Sequence, residues 1–269
     1  MLLQNKKRKG LLCFSLAVLL ILSSFLSWSQ SEKKERAFYQ LTVYHFTNAD
    51  QEKILDNYMQ NALLPALHRQ LINNIGVFKA LANDTSALKL LYVFVPIGTL
   101  DNSIKLIAKL NEDKTYQSAG AEYINAVYTA PPYSRMETIL LYAFPLAPQM
   151  NLPALKSEKK DRVYELRSYE SATEKIFRNK VKMFNEGDEI GLFKKLNFNA
   201  VFYSEVFAGS KMPNLMYMTS FENMADRDAH WKEFGNDPYW KKLSALPEYQ
   251  NNVAHIDITF LRPVDYSDF

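Results

Sequence analysis

Cysteine is nearly absent from this chain of 269 residues, and Cys13 is the only one. Beyond Cys13 the sequence therefore offers no disulfide, no thiolate metal site and no cysteine nucleophile. Glycine is also scarce, with 8 residues, and no glycine-rich phosphate-binding motif or G-x-S-x-G nucleophile motif occurs. The chain carries no signature of a nucleotide-binding protein or of a serine hydrolase.

Clustered metal ligands are missing from the sequence as well. The histidines are His45, His68, His230 and His255, and no pair has the H-E-x-x-H or H-x-H spacing. A single histidine offers a transition metal only one ligand, and a haem site would need one of them as its proximal ligand. We therefore expect no cofactor, no haem and no bound metal.

An excess of positive charge is confined to the N-terminus. The chain has 32 basic and 29 acidic residues, and Lys6–Lys9 supplies four positive charges within residues 1–29, which contain no acid. Without those four charges, 28 basic residues face 29 acidic ones. A chain so close to neutral has no electrostatic reason to bind nucleic acid or an anionic membrane.

The same N-terminal stretch has the layout of a secretory signal peptide. The basic segment Lys6–Lys9 precedes an apolar run over Leu11–Leu22, and small residues follow up to Ser29. The apolar run is shorter than the roughly 18 residues that span a bilayer. We predict a signal peptide at residues 1–29 and a periplasmic or secreted protein with no stable membrane insertion. The alternative is an uncleaved N-terminal anchor.

Apolar side chains are abundant, and their pattern repeats along the chain. Hydrophobic residues make up 48% of the sequence and aromatic residues 13%, enough for a core that holds without disulfides. Phe38–Tyr44 aligns with Val163–Tyr169 at an offset of 125 residues, and Leu91-Tyr92 aligns with Met216-Tyr217 at the same offset. Matches that keep order and spacing indicate a tandem duplication.

Each half has the same predicted order of strands and helices. Alternating and apolar runs predict strands at Phe38–Phe46, Leu88–Val95, Met136–Phe144, Val163–Tyr169, Asn199–Phe207, Leu215–Phe221 and Ala254–Leu261. Ser171 and Glu174 form a capping-box pattern before a helix, and Asp237-Pro238 predicts the start of another. The order β-α-β-β-α-β is the ferredoxin-like motif.

The predicted fold class is α+β, with two tandem ferredoxin-like (βαββαβ) units. Pairing their sheets into one barrel would leave no exposed sheet edge. The predicted organisation is the signal peptide at 1–29, one domain at 36–144, a linker at 145–161 and a second domain at 162–262.

Several segments of the second half are typical of one known family. These segments are Val163–Tyr169, Asn214–Phe221, Asp228–Lys232 and Asp237–Trp240. They resemble NIPSNAP domains, which implies a NIPSNAP domain at 162–262 and a diverged copy at 36–144. The diverged copy has Gln40 and Thr42 where the second half has Glu165 and Arg167. The resemblance implies a dimeric α/β-barrel fold, shared with small monooxygenases and haem-binding relatives, and little about activity.

Polar and apolar side chains alternate on two predicted strands of the second half. Because successive side chains on a strand point to opposite faces, each strand has a polar and an apolar face. We expect the apolar faces to lie under the helices and the polar faces to line the lumen, where a charge needs a partner or a ligand. The candidate ligand-binding residues are therefore Glu165, Arg167, Tyr169, His255 and Asp257.

Three functions remain open at this point. The first is an exported NIPSNAP-type protein, non-enzymatic or of unassigned activity, that binds a small, partly apolar molecule in the lumen. The second is a cofactor-independent oxygenase, isomerase or lyase that transfers protons through His255, Asp257 or Glu165. The third is a structural or interaction protein with a filled lumen, in which Arg167 merely pairs with Glu165 or with Asp257. A homodimer formed through the outer helices is compatible with each.

Overall fold

Strands and helices alternate through residues 35–269, the part of the chain that the computed structural model describes. The strands are β1 Phe38–Phe46, β2 Gly76–Ala80, β3 Lys89–Gly98, β4 Arg135–Ala143, β5 Val163–Glu170, β6 Phe202–Ala208, β7 Asn214–Phe221 and β8 His255–Pro263. The helices of the first half are α1 Ala49–Tyr58, α2 Leu64–Arg69, α3 Leu100–Glu112, α4 Lys114–Ala119 and α5 Ala121–Ile124. Those of the second half are α6 Glu174–Asn185, α7 Glu189–Lys195, α8 Met224–Asn236 and α9 Pro238–Ser244.

Short helical turns complete these elements. The π-helical turn Met59–Leu63 joins α1 to α2, and the 3-10 turns are Leu81–Asp84 and Pro247–Tyr249. The predicted signal peptide, residues 1–29, lies outside the described residues. No helix within residues 35–269 has the length and apolar character needed to cross a bilayer.

The strands close into one antiparallel barrel in the order β1-β3-β2-β8-β5-β7-β6-β4. The first half contributes the neighbours β4-β1-β3-β2, and the second half contributes β8-β5-β7-β6. The halves join where β2 pairs with β8 and where β4 pairs with β6. The predicted barrel closure is therefore confirmed, and the fold is a mixed α/β fold around an eight-stranded antiparallel barrel.

An aromatic cluster closes one end of the barrel lumen. The ring of the C-terminal Phe269 lies 5.4 Å from that of Phe78 and 5.9 Å from that of Tyr164, measured between ring centroids. Met150 and Leu155, from the segment between β4 and β5, pack against the same cluster. Small eight-stranded barrels fill their interior with side chains in this way.

Strand β5 faces the opposite way to the prediction. Tyr164 and Leu166 belong to the lumen core, whereas Glu165 and Tyr169 contact residues of the outer layer of helices and sheet. The expectation of an apolar face under the helices is therefore wrong for this strand. Opposing strands bury the inner face and helices bury the outer face, so alternation reveals two faces without telling which one lies inside.

The predicted helix starts have different outcomes. Asp237 caps α9 by accepting a hydrogen bond from the backbone N–H of Tyr239, with Pro238 as the first helical residue. The predicted capping box at Ser171 is wrong. The cap of α6 is Thr173, and the hydroxyl of Ser171 instead donates to the carbonyl of Asn252. Ser171 is thus used to tie β5 to the segment before β8.

Candidate functional site

The strand register separates the predicted ligand residues into two groups. Strands β5 and β8 pair so that Arg167 lies opposite Ile258, and Ser168 lies opposite Asp257. Cross-strand partners share a face of the sheet, so Arg167 and Asp257 lie on opposite faces. The residues beneath the helices are Glu165, Arg167 and Tyr169. The residues at the mouth of the lumen are His255 and Asp257. The prediction of one lumen cluster is therefore wrong for the first three.

Glu165 is the centre of a buried ion network on the outer face. Its carboxylate accepts hydrogen bonds from Arg167 Nε at 2.6 Å, Arg227 Nε at 2.7 Å and Trp231 Nε1 at 2.7 Å. Burial alone would raise the pKa of Glu165, but the hydrogen bond from Arg227 and the charge of Arg167 outweigh it and hold the pKa below its ordinary value. Glu165 is thus an ionised acid that two guanidinium groups and an indole stabilise.

Arg167 is held on several sides by the same network. Its guanidinium lies 3.8 Å from the centre of the Trp231 ring, and its NH1 group donates to the Tyr169 hydroxyl at 2.9 Å. The neighbouring cavity of about 370 Å³ is bordered by the buried pair of Lys180 and Glu189, at 2.9 Å. Arg167 therefore satisfies the interior through Glu165, which is one of the two pairings expected for a structural role.

The opposite end of the lumen from Phe269 holds an open cavity of about 300 Å³. Its lower wall is made of inward-facing apolar residues of five strands, namely Leu41, Val43, Leu90, Ile139, Leu166 and Met216. Cavities that bind small molecules range from about 300 to 1,000 Å³ and combine such walls with a few polar groups. We treat this cavity, called here the mouth cavity, as the candidate functional site.

Two histidine–carboxylate pairs border the mouth cavity. His45 Nε2 lies 2.8 Å from Glu137 Oε1, and the hydroxyl of Ser210 donates to the other oxygen of Glu137 at 3.2 Å. Across the mouth, His255 Nε2 lies 3.1 Å from Asp257, which also accepts a hydrogen bond from Lys211. The bond from Lys211 is the largest of the influences that lower the pKa of Asp257. The mouth thus carries charges of both signs.

Asn214 brings a buried polar group to the wall of the mouth cavity. Its Nδ2 donates to the hydroxyl of Ser168 at 2.8 Å, and its Oδ1 has no hydrogen-bond partner among the described residues. Turning the amide over would leave the nitrogen unpartnered instead, so one polar atom is free in either orientation. Leaving a buried polar atom unpaired costs about 1–3 kcal/mol. Asn214 therefore brings an incompletely paired amide to the wall of the mouth cavity.

Tyr92 adds a hydroxyl group to the same cavity. Burial is the largest influence on the pKa of Tyr92 and raises it. The carboxylates of Glu137 and Asp257 raise it further, against the effect of a hydrogen bond with Thr259. The hydroxyl is therefore protonated at neutral pH and is available as a donor.

One group of side chains at the mouth has the composition of a metal site. Ligand atoms of Glu170, His255 and Asp257 lie within 4.8 Å of one another. However, Asp257 already forms an ion pair with Lys211, whose ammonium group a metal cation would have to displace. The ion pair between Lys211 and Asp257 therefore already neutralises the carboxylate that a metal ion would need.

Sequence reasoning missed most of the mouth cavity. It nominated His255 and Asp257 but left out His45, Glu137 and Asn214. A usable signal existed for His45, because it continues the inward alternation of Leu41 and Val43 to the end of β1. None existed for Glu137, whose meeting with His45 depends on the pairing of β1 with β4 across 92 residues of chain.

Comparisons with known proteins relate the second half of the chain to one family. A sequence model of the NIPSNAP family matches residues 164–268. A NIPSNAP family protein of Agrobacterium tumefaciens is 17% identical, with a TM-score of 0.36, and the alignment covers 44% of this chain and 98% of that one. No curated protein matches the sequence.

Two solved structures share the fold over most of its length. A candidate monooxygenase of Lactobacillus acidophilus superposes with a TM-score of 0.55 at 10% identity, over 85% of this chain and 94% of that one. A candidate monooxygenase of Fusobacterium nucleatum gives a TM-score of 0.53 at 8% identity, over 84% and 93%. At such identities the likeness describes the fold and does not transfer an activity.

Proposed function

We propose that this chain, whose residues 164–268 form a NIPSNAP domain, binds a small, partly apolar molecule in the mouth cavity of its barrel. The observation that carries the proposal is the open mouth cavity of about 300 Å³, whose lower wall is apolar and whose lining also includes the polar side chains of Asn214 and Tyr92. A side-chain-packed lumen would have favoured a purely structural protein, and here the lumen is packed only at the end that Phe269 closes.

The composition of the mouth cavity sets the kind of molecule it would accept. Apolar residues such as Ile139 and Met216 favour a hydrophobic body at the wall. Asn214 and Tyr92 would bond one polar group of that body, and the paired charges of the rim would face its solvated end. Charges that are already paired add little net attraction for an ion, so the apolar wall supplies most of the binding energy.

Native mass spectrometry of protein purified from its own host tests this proposal. We expect a co-purifying small molecule in the wild type and its loss in Ile139→Trp, where the indole would fill the mouth cavity. The matched control is Phe207→Trp, because Phe207 is an exposed residue of the outer face. Retention of the molecule by Ile139→Trp, or its absence from the wild type, would contradict the proposal.

The pair of His45 and Glu137 supports a second candidate function, that of a cofactor-independent isomerase or lyase. A histidine whose ring a carboxylate orients beside an apolar cavity has the arrangement of a general base. The probe 5-nitrobenzisoxazole tests this directly, because removal of its ring proton by a base breaks the N–O bond and forms a nitrile and a phenolate. No other reactant is needed.

The expected result is elimination faster than in buffer, lost in His45→Gln and kept in His230→Gln. His230 is a suitable control because it lies on α8, outside the barrel, where its ring bonds the backbone carbonyl of Asp226. Equal rates in both variants would exclude His45 as a base and leave the binding proposal untouched.

We also infer that the halves are copies of one ferredoxin-like unit and that the chain is exported after cleavage of residues 1–29. The matching strand orders β4-β1-β3-β2 and β8-β5-β7-β6 support the first inference. The basic and apolar layout of the N-terminus supports the second. Intact-mass analysis of protein from the native host should show a chain that begins near Gln30, and a full-length chain in the membrane fraction would refute export.

A further inference from the structure

A second and larger cavity lies outside the barrel, in the first half of the chain. It has a volume of about 500 Å³ and separates the outer face of β1, β3 and β4 from helices α1 to α5. Leu106 is the buried contact of α3 with this space, whereas Ile104 of the same helix is 70% exposed. We call this space the tyrosine cavity, after Tyr44, Tyr58, Tyr116 and Tyr123 in its lining.

The lining of the tyrosine cavity contains no charged side chain among the described residues. Its polar groups are neutral hydroxyls and amides. The hydroxyls of Tyr58 and Tyr116 lie 2.7 Å apart, and the rings of Tyr58 and Tyr123 stack with centroids 3.8 Å apart. Burial is the main cause that raises the pKa of Tyr44, Tyr58 and Tyr123, so these hydroxyls stay protonated. The cavity therefore offers aromatic faces and hydroxyl groups without any counter-ion.

The tyrosine cavity lies where the second half has the Glu165 network, and it is larger than the cavity of about 370 Å³ that borders this network in the second half. On β1, Gln40 and Thr42 hold the positions that Glu165 and Arg167 hold on β5 in the matching strand order. Gln40 makes only long hydrogen bonds, at 3.3 Å, to Thr42 and Ser103. From α3 the short hydroxyl of Ser103 donates to Gln40 of β1, where α8 of the second half places the large indole of Trp231 against Glu165 of β5. The space that an indole and two guanidinium groups occupy in the second half is left open in the first.

We propose that the tyrosine cavity is a binding site for an uncharged, ring-containing molecule that carries a hydroxyl or carbonyl group. A charged group would lose its hydration in this cavity without gaining a partner, which is strongly unfavourable. Aromatic rings such as those of Tyr58 and Tyr123 favour a planar apolar body, and the tyrosine hydroxyls can donate to or accept from its polar group. This site is separate from the mouth cavity and does not depend on the function proposed for it.

Fluorescence of the neutral probe 1-aminoanthracene tests the site in the full chain. We expect saturable binding to the wild type that weakens at least about tenfold in Leu106→Trp, a change of about 1.4 kcal/mol. The indole introduced there would fill the cavity as Trp231 does in the second half. The matched control is Ile104→Trp on the solvent side of the same helix, which should bind the probe as the wild type does.

Two further variants keep the result interpretable. Thr138→Trp, at an exposed position on the edge of the cavity, should weaken the probe without any risk to the core, in case Leu106→Trp fails to fold. Ile139→Trp, which fills the mouth cavity, should leave the probe bound. Loss of the probe in Ile139→Trp but not in Thr138→Trp would place the molecule in the lumen and overturn this inference.

The chemical class has its own test. The anionic probe 1-anilinonaphthalene-8-sulfonate should not compete with 1-aminoanthracene, because the cavity has no cation to pair with its sulfonate. Competition that disappears in Leu106→Trp would show that the cavity accepts anions and would refute the uncharged class. Equal binding of 1-aminoanthracene to the wild type, Leu106→Trp and Thr138→Trp would refute the site.

Discussion

The two halves of the barrel bury the same outer face of the sheet in different ways. In the second half, the carboxylate of Glu165 accepts hydrogen bonds from two arginines and from Trp231, which connects the helix to the strand. In the first half, Gln40 and Thr42 have no such partners, and a cavity of about 500 Å³ separates helix from sheet. Strand order is the same in both, and a cavity of about 370 Å³ also borders Arg167 in the second half, so a few side chains change how much of this layer is filled.

The two halves should also differ in how strongly substitutions at this face change the stability of the fold. Buried ion networks are sensitive to the loss of one member, because the remaining charges are left without partners. Gln40 and Thr42 carry no charge and take part in no such network, so their substitution should affect folding little. The second half should therefore be fragile toward substitution at the face where the first half is tolerant.

Replacement of Glu165 by leucine should give the largest effect. Arg167 and Arg227 would lose their shared carboxylate, and removing one member of a buried pair costs about 3–5 kcal/mol. Denaturant unfolding monitored by tryptophan fluorescence would measure the loss. The matched substitution Gln40→Leu should change the free energy of unfolding by no more than about 1 kcal/mol. Similar losses in the two variants would remove the distinction between the halves.

Replacement of Trp231 by leucine should come next. Removing a large buried aromatic side chain costs about 3–5 kcal/mol when alanine replaces it, and we expect about 2–4 kcal/mol for leucine. The change also opens space next to Arg167 and thereby imitates the first half. Calorimetry would measure the loss of stability. If a new cavity forms, the variant should bind more molecules of 1-aminoanthracene than the wild type does. An unchanged number would show that the loss of the indole alone does not make a hollow layer.

The effect of Arg167→Ala should be smaller. Glu165 would keep Arg227 and Trp231, so the variant loses the charge-assisted hydrogen bond to Glu165, worth about 1.5–3 kcal/mol, together with the hydrogen bond to Tyr169 and the contact with the Trp231 ring. The melting temperature should fall. Any molecule bound in the mouth cavity should be retained, because Arg167 lies on the other face of the sheet. Loss of that molecule without a change in melting would instead support a ligand role for Arg167.

Acid should narrow the gap between the wild type and Glu165→Leu. The folded-state pKa of Glu165 lies below its ordinary value, so its ionised form stabilises the fold above a pH of about 4.5, the ordinary pKa. This contribution is lost as the pH falls through the folded-state pKa. Melting temperatures measured from pH 7 downward should therefore converge at the acid end. A constant difference at every pH would show that the charge of Glu165 is not what stabilises the layer.

Local sequence features predicted most strands and one helix start correctly, but they predicted another helix start wrongly. The alternation of Phe38–Phe46 and the cap at Asp237 depend on neighbouring residues only, and both match the structure. The capping box at Ser171 has an equally local pattern, yet the tie to Asn252 prevails over it. A tertiary hydrogen bond therefore overrides a local signal of comparable strength.

By itself, the sequence determined the positions of seven of the eight strands and the closure of the sheet, because these follow from local alternation and from the need to cover sheet edges. Only the tertiary structure decided that Glu165 points toward the helices and that His45 meets Glu137 at the mouth. Both faces of the sheet are buried, so polarity cannot distinguish inside from outside. The neighbours of each residue across the barrel depend on a register that no local pattern contains.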